Sequence, residues 1–99
     1  MSSHHTAIQK FSQKLEELDY TLDRLEHRLQ DLPGEIKASA SIKVQKLRDY
    51  RAELQEKEKA LLEQSEEKLH NVEAVIDDAL DTVKILFEDI QIDMKVEGV

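Results

Sequence analysis

Four histidines, no cysteine and 22 acidic side chains are the material for chemistry in this 99-residue chain. Glu67 and His70 form one Glu-x-x-His element, a unit that di-iron helical bundles use in pairs with further inward-facing glutamates. Only one such element is present, and the register of Leu69 puts both residues on an outer helix face, so no metal centre is expected. His27 has Asp23 and Asp31 four residues to either side, the spacing of surface ion pairing along a helix. His4 and His5 fall in an expected flexible N-terminus, residues 1–6. Nucleophilic catalysis lacks a foothold, because no serine sits in a glycine-bounded elbow. The two glycines, Gly34 and Gly98, cannot build a phosphate-cradling loop. The carboxylate pairs Glu16-Glu17, Asp77-Asp78 and Glu88-Asp89 could suggest acid–base or cation chemistry. Without an enclosed pocket to raise a carboxylate pKa they read as solvated faces. Tyr20 and Tyr50 do not form a stacking series for bases. The expectation is a protein with no catalytic, cofactor-binding or metal-binding residues.

The elements that would have to position such groups are also restricted. With 2 Gly and 1 Pro, the chain lacks the turn residues that a sandwich, barrel or doubly wound α/β fold requires. Apolar runs reach only three residues, as in Ile85-Leu86-Phe87, far short of the ~20 residues of a membrane span. No basic-then-apolar leader is visible at the start, and the lack of cysteine suits a reducing compartment, so a cytoplasmic location is expected. The net charge of −8 disfavours general binding to nucleic acid or anionic lipid.

Residues 7–32 carry Ile8, Phe11, Leu15, Leu18, Leu22, Leu25, Leu29 and Leu32 at alternating spacings of 3 and 4. That is a heptad with Ile8 at a and Phe11 at d. Thr6 and Gln9 read as a capping box, and Pro33 ends the helix, with Gly34 giving the chain freedom to turn at 33–35. So short a link returns the next helix antiparallel. From residue 36 the stripe continues through Ile36, Ala40, Val44, Leu47, Leu54 and Leu61, slips in phase at Ser65, and resumes on Leu69, Ile76, Val83 and Ile90. An inserted four-residue step can unwind a coiled coil without breaking it. The simplest reading is one long helix over 36–94 with a tail at 95–99; a break near 65–71 is the alternative. The alternation from Ile90 to Val96 is also compatible with a short strand.

In the first helix the e positions Ser12, Asp19 and Glu26 are polar, a narrow seam suited to one partner. In the last third, Leu80, Phe87 and Met94 stand at e beside the a and d residues, a wide stripe that faces at least two other helices. A helix of about 58 residues would span close to 90 Å, and a first helix of roughly 40 Å could cover only half of it. The expected fold is therefore all-α: an antiparallel coiled-coil hairpin with a long second arm, completed by dimerisation, or alternatively a monomeric three-helix bundle. Leu80, Val83, Leu86, Phe87 and Ile90 are the candidate protein-interaction residues. Lys43, Lys46, Arg48 and Arg51 form a candidate docking patch, unless they lie beside an acidic helix of the same assembly. The function expected is non-catalytic: a coiled-coil interaction or assembly protein, as scaffold, adaptor or small acidic chaperone-like partner, most simply a homodimer. The alternative is an amphipathic helix that binds a lipid surface, which the acidic last third disfavours.

Overall fold

The computed structural model describes the backbone of residues 3–64 and 70–98 and the side chains of residues 5–64 and 70–94. It is all-α, with α1 at Ser3–Leu29, α2 at Gly34–Glu63 and α3 at Val72–Gly98. The single helix expected over 36–94 is thus two helices, and the three-helix alternative holds. The reversal lies between Glu63 and Val72; residues 65–69 of the expected break fall outside the described residues.

Burial of the late stripe explains the reversal. An unbroken arm would reach about 90 Å, whereas the long dimension here is 51 Å, over a cross-section of 17 by 17 Å. Folding back buries Val72, Ile76, Ala79, Ile90 and Met94 inside the same chain. Each large apolar side chain contributes about 1.5–3 kcal/mol when fully covered. Closing a loop of about eight residues costs only about 2 kcal/mol in its length-dependent part. The stripe that an extended arm leaves bare is therefore covered without a second chain, and the uncovered arm no longer argues for a dimer.

The core runs the length of the bundle in two parts. One gathers Ile8, Phe11 and Leu15 of α1 with Leu54 and Leu61 of α2 and Val72, Ile76 and Ala79 of α3. The other joins Leu18, Leu22, Leu25 and Leu29 to Ala40, Val44 and Leu47, and to Ile90 and Met94. All the a and d residues of α1 from Ile8 to Leu29 are buried, as the heptad predicts. Met94, at the e position, is buried too, as expected for a stripe facing two helices.

The boundaries have local causes. Thr6 does not cap α1 but lies inside it, since the helix starts at Ser3. Ahead of Pro33 the chain tightens into three-residue bonds, with the amides of Gln30, Asp31 and Leu32 donating to the carbonyls of His27, Arg28 and Leu29. Pro33 (φ −59°, ψ 153°) is the N-cap of α2, and its carbonyl accepts from the Lys37 amide at 2.8 Å. Gly34 opens the helix with no positive φ, so the turn does not use the conformational freedom expected of it. α2 stops at Gln64, whose extended backbone (φ −82°, ψ 149°) breaks the ladder. The Asn71 carbonyl accepts from the Val75 amide, placing Asn71, a favoured N-cap residue type, at the head of α3. Glu73 in the first turn complements the helix dipole there. Helix continues through the segment that could have been a strand.

Candidate functional site

The residues of the expected docking patch are divided between two helix seams. Arg51 donates to Asp19 through both Nε and Nη2, at 2.7 and 2.9 Å, with Nη1 on the Gln55 side chain at 2.9 Å. Arg48 grips Glu26 at 3.0 and 2.8 Å and reaches Asp23 at 3.4 Å. Lys43 turns the other way, to Asp93 at 2.8 Å and Asp89 at 3.3 Å, and the Ser39 hydroxyl donates to Asp93 at 2.8 Å. Lys46 alone of the four stays exposed with no such clamp. The basic block of α2 thus meets the acidic blocks of α1 and α3, the alternative raised by the charge distribution.

These clamps leave an electrostatic signature. The hydrogen bond to Asp93 raises the Lys43 pKa, and burial opposes this. The hydrogen bonds from Lys43 and then Ser39 hold Asp93 below its ordinary value. The hydrogen bond to Glu26 raises Arg48.

Two polar core positions escape a reading of apolar spacing. With Ala40, Leu47, Leu54 and Leu61 at d, position a of α2 falls on Val44, Arg51 and then Glu58. Arg51 takes Asp19, and Glu58 accepts a hydrogen bond from Ser12. Their partners, with Glu26, are the three polar e residues of α1, so one side of α1 is stitched to α2 along its length. The signal available in sequence was the gap itself: Leu47, Leu54 and Leu61 recur every seven residues with charged residues where a should be apolar.

Of the expected interaction residues, Ile90 is buried in the core, while Leu80, Val83, Leu86 and Phe87 are half-buried at its edge. Leu80 also lines a groove of about 520 Å³ between the N-terminal halves of α1 and α3, whose mutual contact is the slightest of the three helix pairs. Ala7, Phe11, Ile76 and Leu80 make its apolar floor and flanks. Lys10 and Lys14 stand on the α1 rim; Glu73 and Asp77 stand on the α3 rim. Among the described residues, no ion pair crosses this seam, and Lys14 pairs instead with Glu17 on its own helix at 3.6 Å. The groove can accept an apolar side chain or helix face, and its rims would orient charges of opposite sign.

The other sequence candidates are dispersed. His5, His27 and His70 are exposed, with His27 and Arg28 in the last turn of α1, where positive charge is favoured. Glu67 lies outside the described residues. Among the described residues no three histidine or carboxylate side chains converge as metal ligands. Of the carboxylate pairs, Asp89 serves Lys43 and Asp77 a rim of the groove, while Glu16, Glu17, Asp78 and Glu88 are exposed. The exposed Tyr20 carries the Arg24 guanidinium 5.8 Å from its ring centre. No helix among the described residues is long and apolar enough to cross a membrane.

The fold defines a class, an antiparallel three-helix bundle in which the cross-helix polar pairs among the described residues join α2 to α1 and to α3. In comparisons with known proteins the chain matches no family model, no curated protein and no solved structure.

Proposed function

We propose that this protein is a non-catalytic helical interaction or assembly module, acting as scaffold or adaptor, and that its binding surface is the α1–α3 face. One observation carries the reading. The α1–α2 seam carries Ser12–Glu58, Asp19–Arg51 and Glu26–Arg48 along its length, and the α2–α3 seam carries Ser39–Asp93 and Lys43–Asp89 toward the C-terminal end of α3. Among the described residues the α1–α3 seam is crossed by no ion pair, and it keeps an apolar groove with charges on both rims. A concave apolar floor with a polar rim is the anatomy of a recognition surface. A cysteine-free chain suits reducing surroundings, and we place its work in the cytoplasm.

Photo-crosslinking tests this in the source cells. A photoreactive residue at Lys10, on the groove rim, is expected to give protein adducts, and one at the exposed Asp49 of α2 is expected to give few. Equal labelling at the two positions, or none at Lys10, refutes the assignment. Adducts at Lys10 dominated by lipid would replace it with the surface-binding alternative.

A further inference from the structure

We infer that the α1–α3 groove is filled by a second copy of this chain, related by a two-fold axis parallel to the helices. The inference rests on the α1–α3 face being the binding surface and adds the identity of its occupant.

The rims supply the argument. Lys10 and Lys14 on α1 and Glu73 and Asp77 on α3 border one groove, so they stand at the same height along the bundle. The cross-helix pairs make α1 and α3 each antiparallel to α2, and hence parallel to one another. A two-fold axis running along the groove keeps every residue at its own height and exchanges left for right. It lays α1 of the second copy over α3 of the first. Lys10 and Lys14 of each copy then oppose Glu73 and Asp77 of the other, on both sides at once. A two-fold axis across the groove at the height of its rims instead brings lysine over lysine and carboxylate over carboxylate, which like-charge repulsion disfavours. A foreign helix would need acids along one edge and bases along the other, at matching heights. The chain's own face already carries both.

The floor supports the same arrangement. Leu80, half-buried, meets its own symmetry mate's groove, and isologous contact of this kind is the commonest way soluble chains assemble. A bundle 51 Å long and 17 Å across sets an upper bound of roughly 870 Å² on the face of each copy, which accommodates the ~800 Å² per partner of a standard specific interface only if most of the face is used. The partly exposed Val83 and Phe87 extend the apolar edge beyond the groove.

Charge reversal with sedimentation or light scattering decides the matter. The wild-type chain at micromolar concentration is expected at twice its 11.5 kDa mass. The K10E/K14E chain and the E73K/D77K chain are each expected to sediment as monomers, with dissociation constants raised about tenfold or more. Mixed one to one, the two are expected to form a heterodimer, because every facing pair is again of opposite sign. Circular dichroism of each variant reports whether it folds. If a one-wall variant does not fold, the chain carrying all four substitutions keeps walls of opposite sign and is expected to dimerise. A monomeric wild type, a one-wall variant that stays dimeric, no rescue on mixing, or a monomeric four-substitution chain each overturns the inference. A monomeric wild type together with strong protein crosslinks at Lys10 would overturn the second copy alone. Absence of those crosslinks would overturn the binding surface with it.

Discussion

Arg51 occupies a core heptad position between Leu47 and Leu54, with its side chain 14% exposed, while its partner Asp19 is 49% exposed. The two sides of the pair should therefore respond differently to removal. Asp19→Ala strands the guanidinium against the core with the Gln55 amide oxygen as its remaining partner. A charge-assisted hydrogen bond is worth about 1.5–3 kcal/mol, and half-exposure of Asp19 discounts this through solvent screening, leaving a loss of about 1–2 kcal/mol. For a domain of this size, 1 kcal/mol moves Tm by about 4–8 °C, so a fall of roughly 4–16 °C is expected. Arg51→Met removes the mostly covered charge instead, leaves Asp19 to water, and extends the apolar stripe of α2 from Val44 to position 51. Exposed ion pairs contribute about 0–1 kcal/mol and replacing a covered charge by an apolar group of similar volume is often neutral, so a change within about 1 kcal/mol is expected. The Asp19→Ala/Arg51→Met chain should then recover most of what Asp19→Ala alone loses. Thermal and urea unfolding by circular dichroism measure all three. If Arg51→Met costs as much as Asp19→Ala, or the double variant shows no recovery, Arg51 does not sit at a core position and the α2 register is misassigned.

Gly34 begins α2 with helical geometry, and a Cβ placed there meets nothing within 4 Å. Gly34→Ala is expected to stabilise by about 0.4–1 kcal/mol by restricting the unfolded chain, a rise in Tm of roughly 2–8 °C; a lower Tm contradicts the placement. Asp93 is held below its ordinary pKa, first by Lys43 and then by Ser39, so its contribution is present above about pH 4 and is lost as pH falls through the depressed value. Lys43 is raised, so its contribution is full below about pH 10.5 and is lost only above that. Asp93→Asn should melt below wild type at neutral pH and converge with it as pH falls through the depressed value; a gap that stays constant into acid argues against the clamp.

The α1 stripe was legible because its 3–4 spacing fixes a face whatever that face meets, and from Ile8 to Leu29 every such residue is buried. The wide a, d and e stripe of α3 likewise announced two neighbours, and α3 does pack on both α1 and α2. The reversal after Glu63 was harder to read, since neither Gly nor Pro marks it. A phase slip in an apolar pattern is compatible both with a helix that unwinds and with two helices that start afresh. Nearest-neighbour patterning cannot separate these, because what favours the second is the summed burial of a stripe twenty residues further on. The heads of the elements carried a fainter clue in Asn71 and Glu73, residue types suited to a helix start.

The groove rims were not legible at all, because they become rims only when α1 and α3 stand side by side. A heptad names the face a helix buries, while its flanks acquire meaning from whichever helix lies beyond them. Lys43, Arg48 and Arg51 looked like a single basic block in sequence, yet α2 sends them to opposite neighbours. The same rule applies to Lys10, Lys14, Glu73 and Asp77, which are separated by some sixty residues in the chain and share one groove. Two seams place opposite charges within reach and bond them. The third seam also places opposite charges on its two walls, over an apolar floor, and among the described residues no ion pair joins them. Charges arranged in that way favour a complementary wall of reversed sign, which a two-fold copy of the same surface provides.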